Sequence, residues 1–292
     1  MHVLTSIDDL RTLRHTWRAD GQTVGFVPTM GNLHEGHLSL LDLARSRCDR
    51  TLCSIYVNPL QFDRAGDLDR YPRTLEEDLD SLRSLGADAV FVPDDTMIYP
   101  RGMAHATTVD VPGITDILEG AHRRGHFVGV ATVVCKLFNL VQPDVAVFGE
   151  KDFQQLLVVK RMATDLNLPV DVVGAPTARD ANGLALSSRN GYLTDAERRQ
   201  AAQLHREMRA CARDLLAGES DITGLERRHT RALADTGFKP DYFTVRSTLD
   251  LESPHADEQP LDWVILVAAQ LGKARLIDNL RVSAAQDTGN TP

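Results

Sequence analysis

Short apolar segments rich in β-branched residues alternate with helical patterns from residue 23 to residue 173. Segments that are apolar on both faces are typical of strands buried in a parallel sheet. Parallel strands need crossover connections, and these are right-handed, so the pattern predicts an α/β protein with a Rossmann-like, doubly wound parallel sheet. The predicted strands are Thr23–Val27, Thr51–Val57, Ala89–Val92, Thr107–Val111, Val145–Phe148 and Val170–Val173, and the predicted helices are Leu38–Ser46, Leu75–Leu85, Gly129–Val141 and Phe153–Leu166.

The pattern changes over Pro176–Thr194, where glycines and polar residues predict a boundary or hinge. Two helices and three strand-like segments follow, namely a long helix capped by Asp195, the helix Ile222–Asp235, and the strands Asp241–Val245, Trp263–Gln270 and Ala274–Asn279. We therefore expect a Rossmann-like domain over residues 1–178, a smaller α+β domain over residues 179–283, and a frayed tail over residues 284–292.

The charge and cysteine content narrow the class of protein. The chain of 292 residues has a formal net charge of −9 and a sequence pI of about 5.5. This argues against nucleic acid or an anionic membrane as a partner, because both attract basic faces. No apolar run reaches the length of a membrane span, and the N-terminus lacks the pattern of an export signal. The four cysteines have no Cys-x-x-Cys spacing, so we expect neither a disulfide framework nor a metal knuckle, and a reducing cytoplasm fits.

The segment from residue 26 to residue 40 contains a strand, a glycine-containing turn and a helix start. Its histidines, His34 and His37, lie where the first backbone N–H groups of the helix lack intrahelical partners. Those N–H groups and the helix dipole attract anions, and two imidazoles add nitrogen donors, so the segment predicts a site for nucleotide phosphates. Histidines that only cap the helix are the plain alternative. A zinc helix is disfavoured, because His34-Glu35-Gly36-His37 is one residue short of the required spacing.

Two further loops carry groups that suit phosphate oxygens. After the strand ending at Phe148, Gly149-Glu150-Lys151-Asp152 offers an ammonium group, and Leu186-Ser187-Ser188-Arg189 offers hydroxyls and a guanidinium. Each of these alone is most often a solvated turn. Ligands in doubly wound folds bind beyond the carboxyl ends of the strands, so loops that follow strands converge on one crevice. That convergence is the main argument for a shared site.

Two glutamines are candidates for binding a small acid. Gln61 follows the second predicted strand, and Gln155 lies in the turn after Phe148. A glutamine in such a place is usually a solvated loop residue. Facing a common crevice, however, the two amides would offer donors and acceptors to hydroxyl and carboxylate oxygens.

Glu77 and Asp78 are the candidate metal ligands. The simplest interpretation is that they form the acidic first turn of a helix capped by Thr74. The alternative is a magnesium role, usually exerted through water. His126 lies in a polar loop before a helix and is either a buried structural residue or a neighbour of the site.

The motifs together resemble the pantoate–β-alanine ligase (pantothenate synthetase) family over nearly the whole chain. The segment Pro28-Thr29-Met30-Gly31-x-Leu33-His34-x-Gly36-His37 is similar to that family's version of the His-x-Gly-His signature, which nucleotidyltransferases and class I aminoacyl-tRNA synthetases share. Three further segments correspond, namely Val57-Asn58-Pro59-x-Gln61-Phe62, Phe148-Gly149-Glu150-Lys151-Asp152-x-Gln154-Gln155 and Ser187-Ser188-Arg189-Asn190. Position 186 departs from the family, because leucine stands where methionine is common, and either side chain would pack against a nucleotide.

The resemblance implies an ATP-dependent condensation of pantoate with β-alanine in pantothenate and coenzyme A biosynthesis, which releases AMP and diphosphate through a pantoyl adenylate. It also implies a C-terminal lid domain, Mg²⁺ and a cytoplasmic homodimer. Gln61 and Gln155 would hold pantoate, with Gln61 also near β-alanine. The residues implied in ATP binding are Met30, Gly31, Asn32, Leu33, His34, Glu35, Gly36, His37, Gly149, Glu150, Lys151, Asp152, Ala178, Leu186, Ser187, Ser188 and Arg189. Four of these, His34, His37, Lys151 and Arg189, are expected to act in catalysis.

The chemistry of adenylation agrees with such a site. The reaction needs no protein nucleophile, because the substrate carboxylate and the phosphorus need only alignment and charge neutralisation. Donors at the α-phosphate act mainly on the transition state, where charge builds up. His37 is either a proton donor or a hydrogen-bond donor, and the sequence leaves both open.

Three other classes share part of this pattern. An aminoacyl-tRNA synthetase would need a basic tRNA-binding domain, for which this chain has little room. A cytidylyltransferase would leave Gln61 and the pair Gln154-Gln155 without a purpose. A catalytically silent nucleotide-binding protein would not need Lys151 and Arg189 beside the two histidines. The expected partners are therefore the small molecules pantoate, β-alanine and ATP, with neither nucleic acid nor membrane.

Overall fold

The computed structural model describes residues 1–62, 65–255 and 257–283 of the chain. By its internal contacts the chain separates into two compact units, one comprising Met1–Glu150 and Gln154–Pro176, the other comprising Lys151–Phe153 and the chain from Thr177 onward. Compactness does not show that either unit folds alone, so the domain boundary after residue 178 stays a prediction. The predicted frayed tail, residues 284–292, lies outside the described residues.

The first unit is built on a six-stranded parallel sheet, which confirms the predicted fold class. Its strands are β1 His2–Leu4, β2 Val24–Thr29, β3 Arg50–Ile55, β4 Ala89–Phe91, β5 Val145–Gly149 and β6 Asp171–Ala175. The helices from the N-terminus to β6 are α1 Ile7–Ala19, α2 Glu35–Arg47, α3 Ala65–Asp69, α4 Leu75–Ser84, α5 Asp95–Ile98, α6 Glu119–His122, α7 His126–Val141 and α8 Phe153–Asp165, with short 3-10 helices at Pro59–Gln61, Met103–His105 and Glu150–Asp152.

The strand order is β1-β4-β3-β2-β5-β6, so the direction of winding reverses between β2 and β5. Apolar residues on both faces explain this sheet, since Phe26, Leu52 and Val90 are all fully buried. A Cβ at Gly25 of β2 would lie 3.0 Å from the Cβ of Ala44, so the missing side chain lets α2 pack directly on β2. In a doubly wound sheet, the crevice at the reversal is where ligands bind.

One predicted strand, Thr107–Val111, is wrong, because these residues pair with no other strand. The backbone N–H of Val109 donates instead to Oγ1 of Thr132 on α7, at 2.9 Å. The carbonyl of Val111 accepts from the N–H groups of Ile114 and Thr115 and closes a turn. Of these five residues only Val111 is buried, and side-chain and local backbone hydrogen bonds take the place of a strand ladder.

Two N-terminal elements were not predicted. The strand β1 has three residues, too few for a pattern, and is fixed only by pairing with β4 at the sheet edge. The helix α1 begins after Ser6, whose hydroxyl accepts from the N–H of Asp9. None of the helices in the described part of the chain is long and apolar enough to span a bilayer.

The second unit contains a three-stranded antiparallel sheet in the order β7-β8-β9. Its elements are β7 Lys239–Ser247, β8 Trp263–Leu271, β9 Ala274–Arg281, α9 Asp195–Ala201, α10 Gln203–Leu216 and α11 Ile222–Asp235, with 3-10 helices at Ser188–Tyr192 and Pro260–Asp262. Leu204 and Met208 of α10 belong to the same apolar core as Ile265 of β8. The smaller α+β region is therefore present as predicted.

The predicted cap of the long helix, Asp195, is wrong by one residue. Thr194 is the N-cap: its hydroxyl accepts from the N–H of Glu197 at 3.3 Å, and the carboxylate of Glu197 accepts from the N–H of Thr194 at 2.8 Å. This reciprocal capping box satisfies two N–H groups, whereas Asp195 merely places a charge in the first turn. The predicted single helix also divides at Ala202 into α9 and α10.

Candidate active site

The two histidines of the predicted phosphate site cap α2 reciprocally. Nδ1 of His34 accepts from the N–H of Gly36 at 3.1 Å, and Nδ1 of His37 accepts from the N–H of His34 at 3.4 Å. The two ring centroids are 4.1 Å apart. A nitrogen that accepts from N–H carries no proton, so in the neutral rings the proton lies on Nε2. The capping role is therefore present, and it fixes both rings in the tautomer whose Nε2–H can donate to a phosphate.

The loop that leads into α2 is held by one buried carboxylate. Asp78, at the start of α4, accepts from the N–H of Asn32 at 2.9 Å and from the N–H of Leu33 at 2.7 Å. Gly31 and Asn32 have φ angles of 78° and 52°, the left-handed region that glycine and asparagine tolerate best. A Cβ at Gly31 would also lie 2.9 Å from Oδ2 of Asp78. Both residue choices in the motif thus follow from a tight turn wrapped around a carboxylate.

The same contacts test the predicted magnesium site. Both carboxylate oxygens of Asp78 already accept backbone N–H groups, and Glu77 is exposed on α4. Within residues 1–62, 65–255 and 257–283, no group of three or more His, Cys, Asp or Glu side chains is arranged to hold a metal ion. Direct ligation by Asp78 would compete with its two N–H donors, so these residues do not fit an inner-sphere metal site. Magnesium binding by Glu77 or Asp78 stays a prediction.

Gln61 is buried and its amide is fixed on two sides. Its Oε1 accepts from Nδ2 of Asn58 at 3.2 Å, and its Nε2 donates to Sδ of Met30 at 2.8 Å. Asn58 is itself held by the hydroxyl of Tyr99, which donates to Oδ1 at 2.7 Å. Burial raises the pKa of Tyr99, and the carboxylate of Asp95 raises it further, so the phenol stays protonated and remains a donor. The structure thus brings Gln61 against the Met30 end of the phosphate loop.

The backbone around Gln61 is fixed by Arg123 and by His126, whose role the sequence left open. The carbonyl of Gln61 lies 2.7 Å from Nδ1 of His126, and Arg123 donates to the same carbonyl at 3.3 Å. His126 is therefore buried, and it lies against the main chain of a predicted substrate-binding residue. A Cβ at Gly129 would lie 2.4 Å from the carbonyl oxygen of Leu60, so this helix approaches the turn too closely for any side chain. In the sequence, the polar residues just before the apolar helix α7 were the only indication that this segment has a role.

The two adjacent glutamines of α8 have different environments. Gln154 is buried: its Nε2 donates to the carbonyls of Ile114 and Ile117, both at 2.8 Å, and its Oε1 accepts from the N–H of Glu119 at 3.1 Å. These three bonds hold the segment before α6, so Gln154 is a structural residue. Gln155 is half-buried and is the member of the pair left for the predicted substrate role.

In the second unit the predicted phosphate loop follows a short hairpin. The N–H of Leu186 donates to the carbonyl of Ala178 at 2.9 Å, which pairs the two predicted ATP-binding positions. Ser187 caps the 3-10 helix that follows by accepting from the N–H of Arg189. A pocket in this unit is lined by Lys151, Ser187 and Arg189, together with Asp278. The structure therefore brings together two of the loops that the sequence placed apart, those carrying Lys151 and Arg189.

The predicted site residues thus form two described groups. Met30, Gly31, Asn32, Leu33, His34, Glu35, Gly36, His37, Gln61, Asp78, Glu77, Gly149, Glu150 and Gln155 belong to the first unit, and Lys151, Asp152, Ala178, Leu186, Ser187, Ser188 and Arg189 belong to the second. Binding of one substrate by both groups stays a prediction. Asn58, Tyr99, Arg123 and His126, which support Gln61, are the residues that the sequence did not assign.

A parallel sheet whose winding reverses beside a glycine-containing loop and an imidazole-capped helix defines a nucleotide-binding α/β protein. The family model described as pantoate-beta-alanine ligase matches residues 2–281. The chain belongs to this family, which confirms the resemblance drawn from the motifs.

Individual relatives agree. A protein named pantothenate synthetase from Shewanella baltica is 53% identical over 275 residues, covering 94% of this chain and 97% of the relative. The crystal structure of pantothenate synthetase from Thermus thermophilus has a TM-score of 0.87 at 44% identity and covers 97% of this chain and 99% of that one. Pantoate-beta-alanine ligase from Francisella tularensis, solved in complex with beta-gamma ATP and beta-alanine, has a TM-score of 0.79 at 34% identity, covering 96% and 97%.

Replacing Asp78 by Asn tests its structural role. The amide keeps the shape of the carboxylate but offers one acceptor oxygen instead of two, so one buried N–H of the loop loses its partner. We expect the free energy of unfolding to fall by about 1–3 kcal/mol, measured by denaturant titration in the presence of a metal chelator. Glu76→Gln, on the exposed side of the same helix, is the matched control and should change little. Equal stabilities of the two variants would contradict this role.

Proposed function

We propose that the loops carrying His34, Lys151 and Arg189 bind ATP, that Gln61 and Gln155 bind pantoate, and that the enzyme joins pantoate to β-alanine in two steps. The chain is an enzyme of the pantoate–β-alanine ligase family, a ligase that condenses pantoate with β-alanine at the expense of ATP. In the first step a carboxylate oxygen of pantoate attacks the α-phosphate, and diphosphate leaves. In the second step the amine of β-alanine attacks the carbonyl carbon of the pantoyl adenylate, and AMP leaves. The observation that carries the proposal is the imidazole-capped N-terminus of α2 at the reversal of the strand order.

Imidazole, ammonium and guanidinium groups each contact the phosphates in this proposal. The N-terminus of α2 attracts the triphosphate, and the Nε2–H groups of His34 and His37 donate to its oxygens. Lys151 supplies a compact charge, and Arg189 supplies a planar fork suited to two phosphate oxygens. Since charge on the phosphate oxygens grows in the transition state, these donors lower the barrier and do not only bind the substrate.

In this proposal pantoate is bound by Gln61, which is buried, and by Gln155, which is half-buried. The amide of Gln61 is fixed by Asn58 and Met30, so it is oriented before substrate arrives, which reduces the ordering cost of binding. Gln155 supplies a second amide from the first turn of α8. The predicted place of β-alanine, beside Gln61, puts its amine near the carbonyl carbon that it attacks.

Mg²⁺ enters the proposal as the ion that accompanies ATP. When bound, it would neutralise part of the negative charge of the triphosphate. In the part of the chain that the structure describes, no cluster of side chains forms an inner-sphere site for it, so no step is assigned to a protein-bound metal. A homodimer and a cytoplasmic location belong to the same proposal; they rest on the family resemblance, and light scattering tests the first.

The reaction itself is tested by product analysis. The purified protein is mixed with ATP, Mg²⁺, pantoate and β-alanine, and AMP is quantified. We expect AMP release that requires pantoate and that yields an amide when β-alanine is present. AMP release independent of pantoate, cytidylate products, or no turnover at all would overturn the proposal.

Replacing Lys151 by Ala tests the charge at the phosphates. Loss of the ammonium group removes electrostatic stabilisation from the adenylation step, so we expect kcat to fall about a hundredfold or more with an unchanged melting temperature. Lys160→Ala is the matched control, because Lys160 is exposed on α8. A fall in melting temperature with unchanged turnover would make Lys151 a structural residue.

Replacing Gln155 by Ala tests the pantoate pocket. We expect the KM for pantoate to rise about tenfold, the equivalent of one lost hydrogen bond, with little change in the KM for ATP. The neighbouring variant Gln154→Ala should instead lower the melting temperature, because it breaks three hydrogen bonds of a buried amide. Equal effects of Gln155→Ala on both KM values would contradict the assigned pocket.

A further inference from the structure

A carboxylate occupies an apolar position in the last strand of the second unit. Along β9, the side chains at Ala274, Leu276 and Leu280 pack with the apolar core, and Asp278 continues the same alternation. It is 4% exposed and lies opposite Val267 of β8. A charged group is rarely fully buried unless it is paired, so Asp278 requires a specific partner.

That partner is Arg179 of the hairpin that carries the predicted phosphate loop. Its Nη1 donates to Oδ2 of Asp278 at 2.7 Å and its Nη2 to Oδ1 at 2.9 Å, a bidentate pair. The same guanidinium donates to the carbonyls of Gly183 at 3.1 Å and Asn279 at 3.2 Å. Arg179 thus ties the turn of the hairpin, at Gly183, to β9.

Backbone pairing within the hairpin connects Arg179 to the Leu186–Arg189 loop. Arg179 pairs with Ala185 in an antiparallel bridge, and the N–H of Leu186 donates to Ala178. Leu186 is followed directly by Ser187, which begins the cap of the 3-10 helix containing Arg189. Below the turn, a Cβ at Gly183 would lie 2.8 Å from Nδ1 of His205. Burial and then the charge of Arg179 lower the pKa of His205 to about 4, so His205 stays neutral there.

The next residue of β9 reaches the other phosphate-binding segment. Successive side chains of a strand point to opposite faces, so Asn279 faces away from Asp278. Its Nδ2 donates to the carbonyl oxygen of Lys151 at 2.7 Å, while its own backbone N–H donates to Oδ1 of Asp278 at 2.8 Å. Asn279 is 5% exposed, so this amide is held in place.

We infer that Asp278 and Asn279 are positioning residues of the ATP site in the second unit. Asp278 fixes the Leu186–Arg189 loop through Arg179, and Asn279 fixes the main chain of Lys151. The inference rests on the proposed function of Lys151 and Arg189 in binding ATP. Two adjacent residues on one rigid strand set the spacing between the ammonium and guanidinium groups that the triphosphate would contact. Reactive groups must be placed within a fraction of an ångström, so loss of this support lowers the rate without removing a group that touches substrate.

The test uses Asn279→Ala, because removing Asp278 would leave the partly buried Arg179 charge without its carboxylate and would report on folding. The matched control is Gln270→Ala, which removes an amide of the same sheet that donates to the carbonyl of Gly272. Hydrogen exchange measured by mass spectrometry should be faster over residues 149–153 in Asn279→Ala and unchanged in the control. Unchanged exchange over residues 149–153 in Asn279→Ala would overturn the positioning of Lys151.

Kinetics provide the second readout. Asn279→Ala should lower kcat for pantoate-dependent diphosphate release about tenfold or more, with Gln270→Ala unchanged. In a Lys151→Ala background the same substitution should cost less than about twofold, because its effect passes through Lys151. A full tenfold loss in that background would overturn the inference that Asn279 acts by positioning Lys151. A wild-type protein that releases no AMP would instead refute the proposed function, and the exchange experiment would still decide whether Asn279 holds Lys151.

Discussion

The parallel pairing of β2 with both β3 and β5 is the constraint on which the first unit depends. Because the three strands run in the same direction, the chain leaves all of them at one edge of the sheet. From β2 the strands continue toward β4 on one side, and from β5 they continue to β6 on the other. The crossover connections therefore run in opposite directions and leave a crevice at the carboxyl ends of β2 and β5. The close packing of α2 on β2, which Gly25 permits, then fixes the imidazole-capped end of that helix at this reversal.

Buried polar side chains fix the loops and side chains of the predicted site. Asp78 holds the loop before α2 by two backbone N–H groups, and Asn58 holds the amide of Gln61 with the help of Tyr99. In the second unit, Asp278 plays the corresponding part for the hairpin through Arg179. In each case a buried polar side chain fixes the position of main chain or of another side chain near the predicted site. The same low dielectric that makes an unpaired polar group costly makes a satisfied one rigid.

The sequence predicted elements best where the signal is local and long. The helix α8 and the three strands of the second unit were located to within a few residues, because hydrophobic periodicity acts over the element itself. Hydrophobic periodicity failed for Thr107–Val111. Its apolar residues alternate as in a strand, but the N–H of Val109 donates to a side-chain hydroxyl instead of to another strand. Periodicity could not detect β1, because three residues carry no period and their pairing partner β4 is far away in the sequence, with His2 opposite Ala89.

The sequence by itself determined the fold class, the family and the loops that carry the histidines, Lys151 and Arg189, because these follow from local patterns and ordered motifs. Only the tertiary structure decided what supports them. Asp78 meets Asn32 across 46 residues of chain, and Arg179 meets Asp278 across 99, so neither partnership leaves a local trace. The same applies to the neighbours Gln154 and Gln155, identical in type and adjacent in sequence, of which burial against distant carbonyls made one structural. Long-range hydrogen bonds depend on the folded path of the chain, and periodicity does not encode that path.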